Sequence, residues 1–185
     1  MITKSEFNQI QQQIVSAWHC GNFPEAFAAI DRVLKNGNAE MKGTCLFYRA
    51  MIQESRGDWE SVRQDCLKGM KYAKPGFLRY QLEQMMGTYY EQQRIPEEAI
   101  KWYRRALVTC DEGDQFSGHK SLVSFIRLSG QELSQTDERL VAKVTSKAWR
   151  VLGVPGNPDL SNLPATIGKL SEHFSKLVTT ITEDN

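Results

Sequence analysis

The sequence predicts an all-α chain, a right-handed α–α superhelix built as a solenoid of three to four helix pairs and closed by a C-terminal capping helix. Three observations carry this expectation. Apolar residues recur at helical spacing along nearly the whole chain. No alternating apolar and polar run is bounded by turn residues, and no Asn-Gly or Asp-Gly pair joins two such runs, so strands are not expected. Helix breaks at Gly21, Gly57 and Arg94 are separated by 36 and 37 residues. With two helices per unit, that period marks stacked helical hairpins.

The first helix is expected from Lys4 to Cys20, with Phe7, Ile10, Ile14, Ala17 and Trp18 on one face. Gly21-Asn22 ends it. Pro24 opens the next helix at a position where a missing N–H costs nothing. Ala26, Phe27, Ile30, Val33 and Leu34 line that second helix until Asn36-Gly37-Asn38 stops it. The second pair carries Leu46, Phe47, Ala50 and Met51 up to Gly57-Asp58, then Trp59, Val62, Cys66, Leu67 and Met70 up to Pro75-Gly76. The third has Leu78, Leu82, Met85, Met86, Tyr89 and Tyr90, a break near Arg94-Ile95-Pro96, then Ala99, Ile100, Tyr103, Ala106 and Leu107.

Beyond Gly113 the pattern loosens. A helix is expected over Ser117–Gln135 and another after Thr136-Asp137-Glu138, with Asp137 as its cap. These two are candidates for a divergent fourth pair, and the pattern leaves open whether they form a true repeat. Val154-Pro155-Gly156-Asn157-Pro158-Asp159 reads as a loop. The last helix, about Pro164 to Ile181, bears a single stripe of Ile167, Leu170, Phe174, Leu177, Val178 and Ile181. A stripe of that kind suits a cap that hides the end of the stack while presenting polar groups to water. Residues 1–153 are thus expected to form the repeat domain and 154–185 a loop and capping helix packed on it, within one domain.

Composition excludes several classes of function. The chain has 185 residues, 41% hydrophobic and 24% charged, with a mean hydropathy of −0.47, which is ordinary for a folded soluble protein. Lys and Arg number 23 against 22 Asp and Glu, a net charge of +1. That balance disfavours duplex nucleic acid and anionic membrane surfaces as partners. No apolar run reaches the length of a membrane span. The opening Met1-Ile2-Thr3-Lys4-Ser5-Glu6 is polar, unlike a secretory leader. Cys20, Cys45, Cys66 and Cys110 are scattered without a CxxC pair, so buried thiols in a reducing cytoplasm are the expectation.

Gly21-Asn22-Phe23-Pro24-Glu25-Ala26 and Gly57-Asp58-Trp59-Glu60-Ser61-Val62 resemble the turn into the second helix of the tetratricopeptide repeats. Gly87 and Tyr90, followed by Ala99-Ile100-Lys101-Trp102-Tyr103-Arg104-Arg105-Ala106-Leu107, resemble that family's small and aromatic pattern most closely. The resemblance covers about residues 4–112, and extends to 152 if the fourth pair is counted. It departs at Ile14 and Ala50, which stand where Gly87 does, and at Val33 and Gly69, which stand where Ala106 does. It implies a protein-binding scaffold in which small residues let helices approach closely. Some members hold a chaperone's C-terminal carboxylate in a Lys/Asn/Arg clamp. This chain carries Gln11, Val15, Tyr48, Gln81 and Met85 there, so chaperone-tail binding is not implied.

No reactive constellation stands out. His19, His119 and His173 fall on three separate helices and read as surface or seam residues. His19 and Cys20 are adjacent and so point about 100° apart, which disfavours a nucleophile pair. Glu97-Glu98 and Asp137-Glu138 sit at helix starts, where the macrodipole accounts for them. Phosphate loops and metal-ligand spacings are not found, so the expectation is a non-enzyme without cofactor or metal. Basic residues gather on second helices: Arg63, Lys68, Lys71 and Lys74, then Lys101, Arg104 and Arg105. They read first as a solvated face, second as a contact for an acidic protein or RNA.

The remaining reading is geometric. Stacked pairs generate a concave wall lined by first helices. Gln11, Val15 and Trp18, then Thr44, Phe47, Met51 and Glu54, then Gln81, Gln84, Thr88 and Glu91 are placed on it. Aromatics, a methionine and amides suit an extended peptide or a partner helix, although the same apolar residues also fit seam packing. The expected function is capture of a partner protein or peptide by an adaptor or secretion-type chaperone. The alternatives are a bacterial immunity protein that neutralises a cognate toxin and, ranked lower, an RNA-binding helical repeat. A small-molecule ligand ranks low, and the C-terminal helix offers a route to a homodimer.

Overall fold

The computed structural model describes residues 1–112, 118–130 and 133–183, the side chains of 112 and 177–183 excepted. Every regular element among them is a helix: α1 (Lys4–His19), α2 (Phe23–Asn36), α3 (Ala39–Ser55), α4 (Trp59–Gly69), α5 (Phe77–Gln92), α6 (Pro96–Glu112), α7 (His119–Ser129), α8 (Gln135–Val151) and α9 (Leu163–Glu183). The all-α expectation holds. The chain divides into two compact units, Met1–Lys74 and Pro75–Asn185, whereas the sequence placed its one internal boundary at 153/154.

Unit 1 is two hairpins, α1 with α2 and α3 with α4, joined by packing of α2 on α3. Its core runs through Phe7, Ile10, Ile14, Ala26, Ile30, Val33, Cys45 and Ile52. Side chains cap each helix start: Thr3 accepts from the Glu6 backbone N–H in a full capping box, and Asn22, Asn38 and Asp58 accept from Glu25, Met41 and Ser61. Each cap satisfies one of the N–H groups a helix leaves open.

Unit 2 pairs α5 with α6, then packs α7 and α8 on α6 and lays α9 on α7 and α8. Tyr80, Tyr103, Leu107, Leu122, Phe125, Val141 and Ile167 form its core. Leu170 of α9 is buried beside Ala148 and Trp149. The expected α9 stripe is therefore seated through Ile167, Leu170 and Phe174, while Leu177, Val178 and Ile181 lie outside the described side chains.

Two boundaries are corrected. The helix expected over Ser117–Gln135 ends at Ser129, because Gly130 turns the chain at φ 67°. Its expected start at Ser117 and the intervening Gln131 and Glu132 lie outside the described residues, as does Gly113. The cap of α8 is Ser134, not Asp137: the Ser134 hydroxyl accepts from the Asp137 backbone N–H at 3.2 Å and donates to its carboxylate at 2.7 Å. A carboxylate at the third helical position can serve the same end of the helix as a cap does.

The three breaks read from the sequence share one geometry. Gly21, Gly57 and Arg94 have φ of 71°, 74° and 58°. In each, the next residue's N–H reaches back five residues, from Asn22 to Ala17, Asp58 to Gln53 and Ile95 to Tyr90, at 2.8–3.0 Å. This left-handed closure satisfies carbonyls at the helix end, and glycine adopts it without a Cβ clash. Arg94 alone pays that clash. Close approach also fixes Gly87: a Cβ there would lie 2.6 Å from the Tyr103 ring. The buried positions matching Gly87 in unit 1 are filled by Ile14 and Ala50, and the one matching Tyr103 in the first hairpin by Ile30. There the seam is closed by side chains of middling size instead of one ring on bare backbone.

Two outcomes follow for stability. Arg94→Gly removes left-handed strain at an exposed position and should raise unfolding free energy by about 0.5–1 kcal/mol in urea titration. Gly87→Ala should lower it by about 1–3 kcal/mol, since the Tyr103 ring must move.

Candidate partner-binding face

Of the wall residues expected in unit 1, Gln11 and Val15 come together on one open concavity of about 700 Å³, lined by Asn8, Gln11, Gln12, Val15, Ser16, His19, Cys20 and Tyr48. Helix periodicity brings them together. Positions 8, 11, 12, 15 and 19 of α1 share one face, opposite the buried Ile10, Ile14 and Ala17, and α3 offers Tyr48 beside them. The Gln11 amide donates to the Tyr48 hydroxyl at 3.4 Å. The lining holds no Lys, Arg, Asp or Glu, and amide and hydroxyl groups surround the half-buried Val15. Such a surface offers hydrogen bonds to peptide groups and demands no charge.

The other expected residues divide by fate. Trp18 is half-buried against the unit 1 core and donates its indole N–H to Ser55 at 3.4 Å, so it ties α1 to α3. Phe47, Met51 and Glu54 are half-buried on α3, Phe47 with its ring 6.0 Å from that of Tyr48. Thr44 spends its hydroxyl on the Glu40 carbonyl. None of these five lines the concavity.

In unit 2, Gln84 and Thr88 line a second, smaller cavity of about 340 Å³ with Tyr103, His119, Lys120, Ser171 and Phe174. Its wall includes α9, which the sequence reading had not brought to the first-helix side. Thr88 donates to the Gln84 carbonyl at 3.3 Å. Glu91 is taken up internally, accepting from Tyr103 at 3.1 Å and from Arg127 at 2.6 Å. Gln81 is half-buried on α5 and lies outside this cavity.

Sequence reasoning missed the buried ion pairs. Arg49 of α3 donates two bonds to Asp65 of α4, at 2.8 and 2.7 Å, and approaches Asp31 of α2 at 3.4 Å. Asp65 is 4% exposed, and the hydrogen-bonded carboxylate holds the guanidinium above its ordinary pKa. In unit 2 the buried Glu83 accepts from Arg79 at 2.7 Å and from Thr109 at 2.6 Å. Asp65 lies 16 residues from Arg49 and Thr109 lies 26 from Glu83, separations with no periodic trace, whereas Arg79 and Glu83 stand at i and i+4, a spacing the sequence does show. A second signal was a charged residue on an apolar stripe, as at Glu83 beside Leu82 and Met86.

The cysteines and histidines also sort by burial. Cys45, Cys66 and Cys110 are buried and Cys20 is exposed. Desolvation pushes the Cys45 thiol up to about 12, Cys110 to about 11, and Cys66 upward as well. These three stay protonated and unreactive. His173 lies 3.0 Å from the Leu152 carbonyl. His119 is buried against Phe174, ring centroids 3.8 Å apart. Burial, helped by the charge of Lys120, depresses its pKa to about 4.

A depressed histidine stabilises the fold fully above its unfolded value near 6.5, and that contribution is lost as pH falls towards 4. His119→Gln should therefore flatten the fall in unfolding free energy between pH 7 and pH 4 by on the order of 2 kcal/mol, read by urea titration at each pH.

Among the described residues, no group of three or more His, Cys, Asp or Glu side chains could hold a metal ion. No helix among them is long and apolar enough to cross a membrane. No family model, curated protein or solved structure matches this chain.

Proposed function

We propose that this chain is a non-catalytic protein-binding module of tetratricopeptide type, which captures a partner peptide or protein segment on the first-helix face of its hairpins. The observation that carries the reading is the open concavity on α1 and α3, free of Lys, Arg, Asp and Glu, with Gln11, Gln12, Asn8 and Tyr48 around Val15. An extended backbone presents alternating donors and acceptors, and primary amides can meet both. Val15 gives one apolar side chain a place to rest. The recurrence of one left-handed turn after α1, α3 and α5 supports a hairpin repeat. Within unit 2, Gln84 and Thr88 of α5 line a cavity of their own, whereas Glu91 is already engaged by Tyr103 and Arg127.

A displayed peptide library selected against the protein tests this. Enriched peptides should lose about tenfold in affinity to Val15→Arg, which puts a bulky charge into the concavity, and about three- to tenfold to Gln11→Ala. Val108→Arg, at an exposed position on α6, should leave binding unchanged. Selection of no peptide, or equal binding by Val15→Arg and wild type, overturns the proposal.

A further inference from the structure

The two basic groups on second helices have different surroundings. On α6 every member is engaged: Lys101 pairs with Glu98 at 2.5 Å, Arg104 with Asp137 at 2.5 Å, and Arg105 stacks over Trp102 at 4.3 Å. On α4, Arg63 pairs with Glu60 at 3.2 Å. Lys68, Lys71 and Lys74 differ. All three are exposed, and among the described residues none has a carboxylate within ion-pair distance. The nearest acidic residue in sequence, Asp65, is buried and already held by Arg49. From Cys66 to Leu82 the chain has no acidic residue at all.

Two apolar side chains are exposed within this same stretch. Leu67 is 36% and Tyr72 42% exposed, and both stand beside the lysines. The backbone keeps a helical course here, with Lys71 N–H bonded to Lys68 O and Ala73 N–H to Gly69 O. Leu67, Lys68, Lys71 and Tyr72 therefore fall within little more than one turn of each other. Lysines near a helix C-terminus are favoured by the macrodipole, but the dipole gives no reason for a leucine and a tyrosine to face water among them.

We infer that the C-terminal end of α4 and the turn after it, Leu67 to Lys74, form a second docking surface, which takes an acidic protein segment carrying an apolar residue. Carboxylates of the partner supply the counter-charges that the chain withholds, and its apolar side chain rests on Leu67 and Tyr72. Nucleic acid fits less well: one tyrosine makes no stacking platform, and unit 1 has ten basic against eight acidic side chains, little excess to draw a polyanion. A lipid surface fits less well because only two apolar groups are offered for insertion. The surface shares no residue with the concavity on α1 and α3, and the inference stands whether or not that concavity binds peptide.

The test uses the full chain and fluorescence anisotropy with labelled peptides of glutamate interspersed with leucine, of glutamate and serine, and of lysine and leucine. Phosphatidylserine vesicles and oligouridine serve as rival probes. The glutamate–leucine peptide should bind best and weaken several-fold as salt is raised past the physiological range, where the Debye length falls below about 8 Å. K68E/K71E/K74E should weaken it about tenfold or more, and L67S/Y72S about threefold or more. All five positions are exposed, and circular dichroism checks that the variants stay folded. K101E, at a lysine already paired within α6, should change nothing. The inference is overturned if the charge-reversed protein binds like wild type, if glutamate–serine and glutamate–leucine peptides bind equally, if vesicles or oligouridine bind more tightly than the peptide, or if no peptide binds at low salt. Val15→Arg should leave this binding intact, so failure here and failure of the α1–α3 concavity are read separately.

Discussion

The left-handed residue that closes a helix is the constraint on which the hairpins depend. At Gly21, Gly57 and Arg94 one residue reverses the chain, and the bond reaching back five residues fixes how the following helix leaves. Helix axes then stand close enough for a buried seam, and seam contents follow from the space left. Unit 1 fills it with Ile14, Ile30 and Ala50, and unit 2 with the Tyr103 ring laid on Gly87. The turn is therefore the invariant and the packing the variable. A degenerate repeat is what that arrangement produces, because a turn constrains one φ angle while a core constrains only total volume.

Packing this closely leaves little room for charge, and the chain admits it only in closed groups. Arg49 meets Asp65 with two parallel bonds, and Glu83 is satisfied by Arg79 and Thr109. Buried pairs like these add little net stability, but loss of one partner strands the other in a poor solvent. They act as registers: Arg49 requires α2, α3 and α4 to arrive together, and Glu83 requires α5 and α6. The half-buried Gln11 carries no such obligation. Its amide spends one bond on Tyr48 and is tied to no charged group.

Much of this was legible in the sequence. Breaks at Gly21, Gly57 and Arg94 were visible because glycine, proline and spacing punctuate helices, and the stripe Ile167, Leu170 and Phe174 announced a helix lying on others. What escaped was tertiary. Trp18 reads equally as groove or seam, and only the Ser55 contact assigns it to holding α1 on α3. Glu91 reads as an exposed wall residue until Arg127, 36 residues away, is seen to take it. Asp137 reads as a cap because acidic groups favour helix starts, whereas Ser134 holds that place. Local periodicity names a face; it does not say which neighbour arrives to cover it.

The distribution of sulfur has a practical side. Three thiols are sealed inside and held protonated, while Cys20 sits in water at the rim of the α1–α3 concavity. Nature has thereby left a single chemical handle on this chain, placed within reach of whatever enters the hollow. Of the four cysteines, a thiol-directed dye or spin label would reach Cys20 first, which places a reporter on the lining of that hollow.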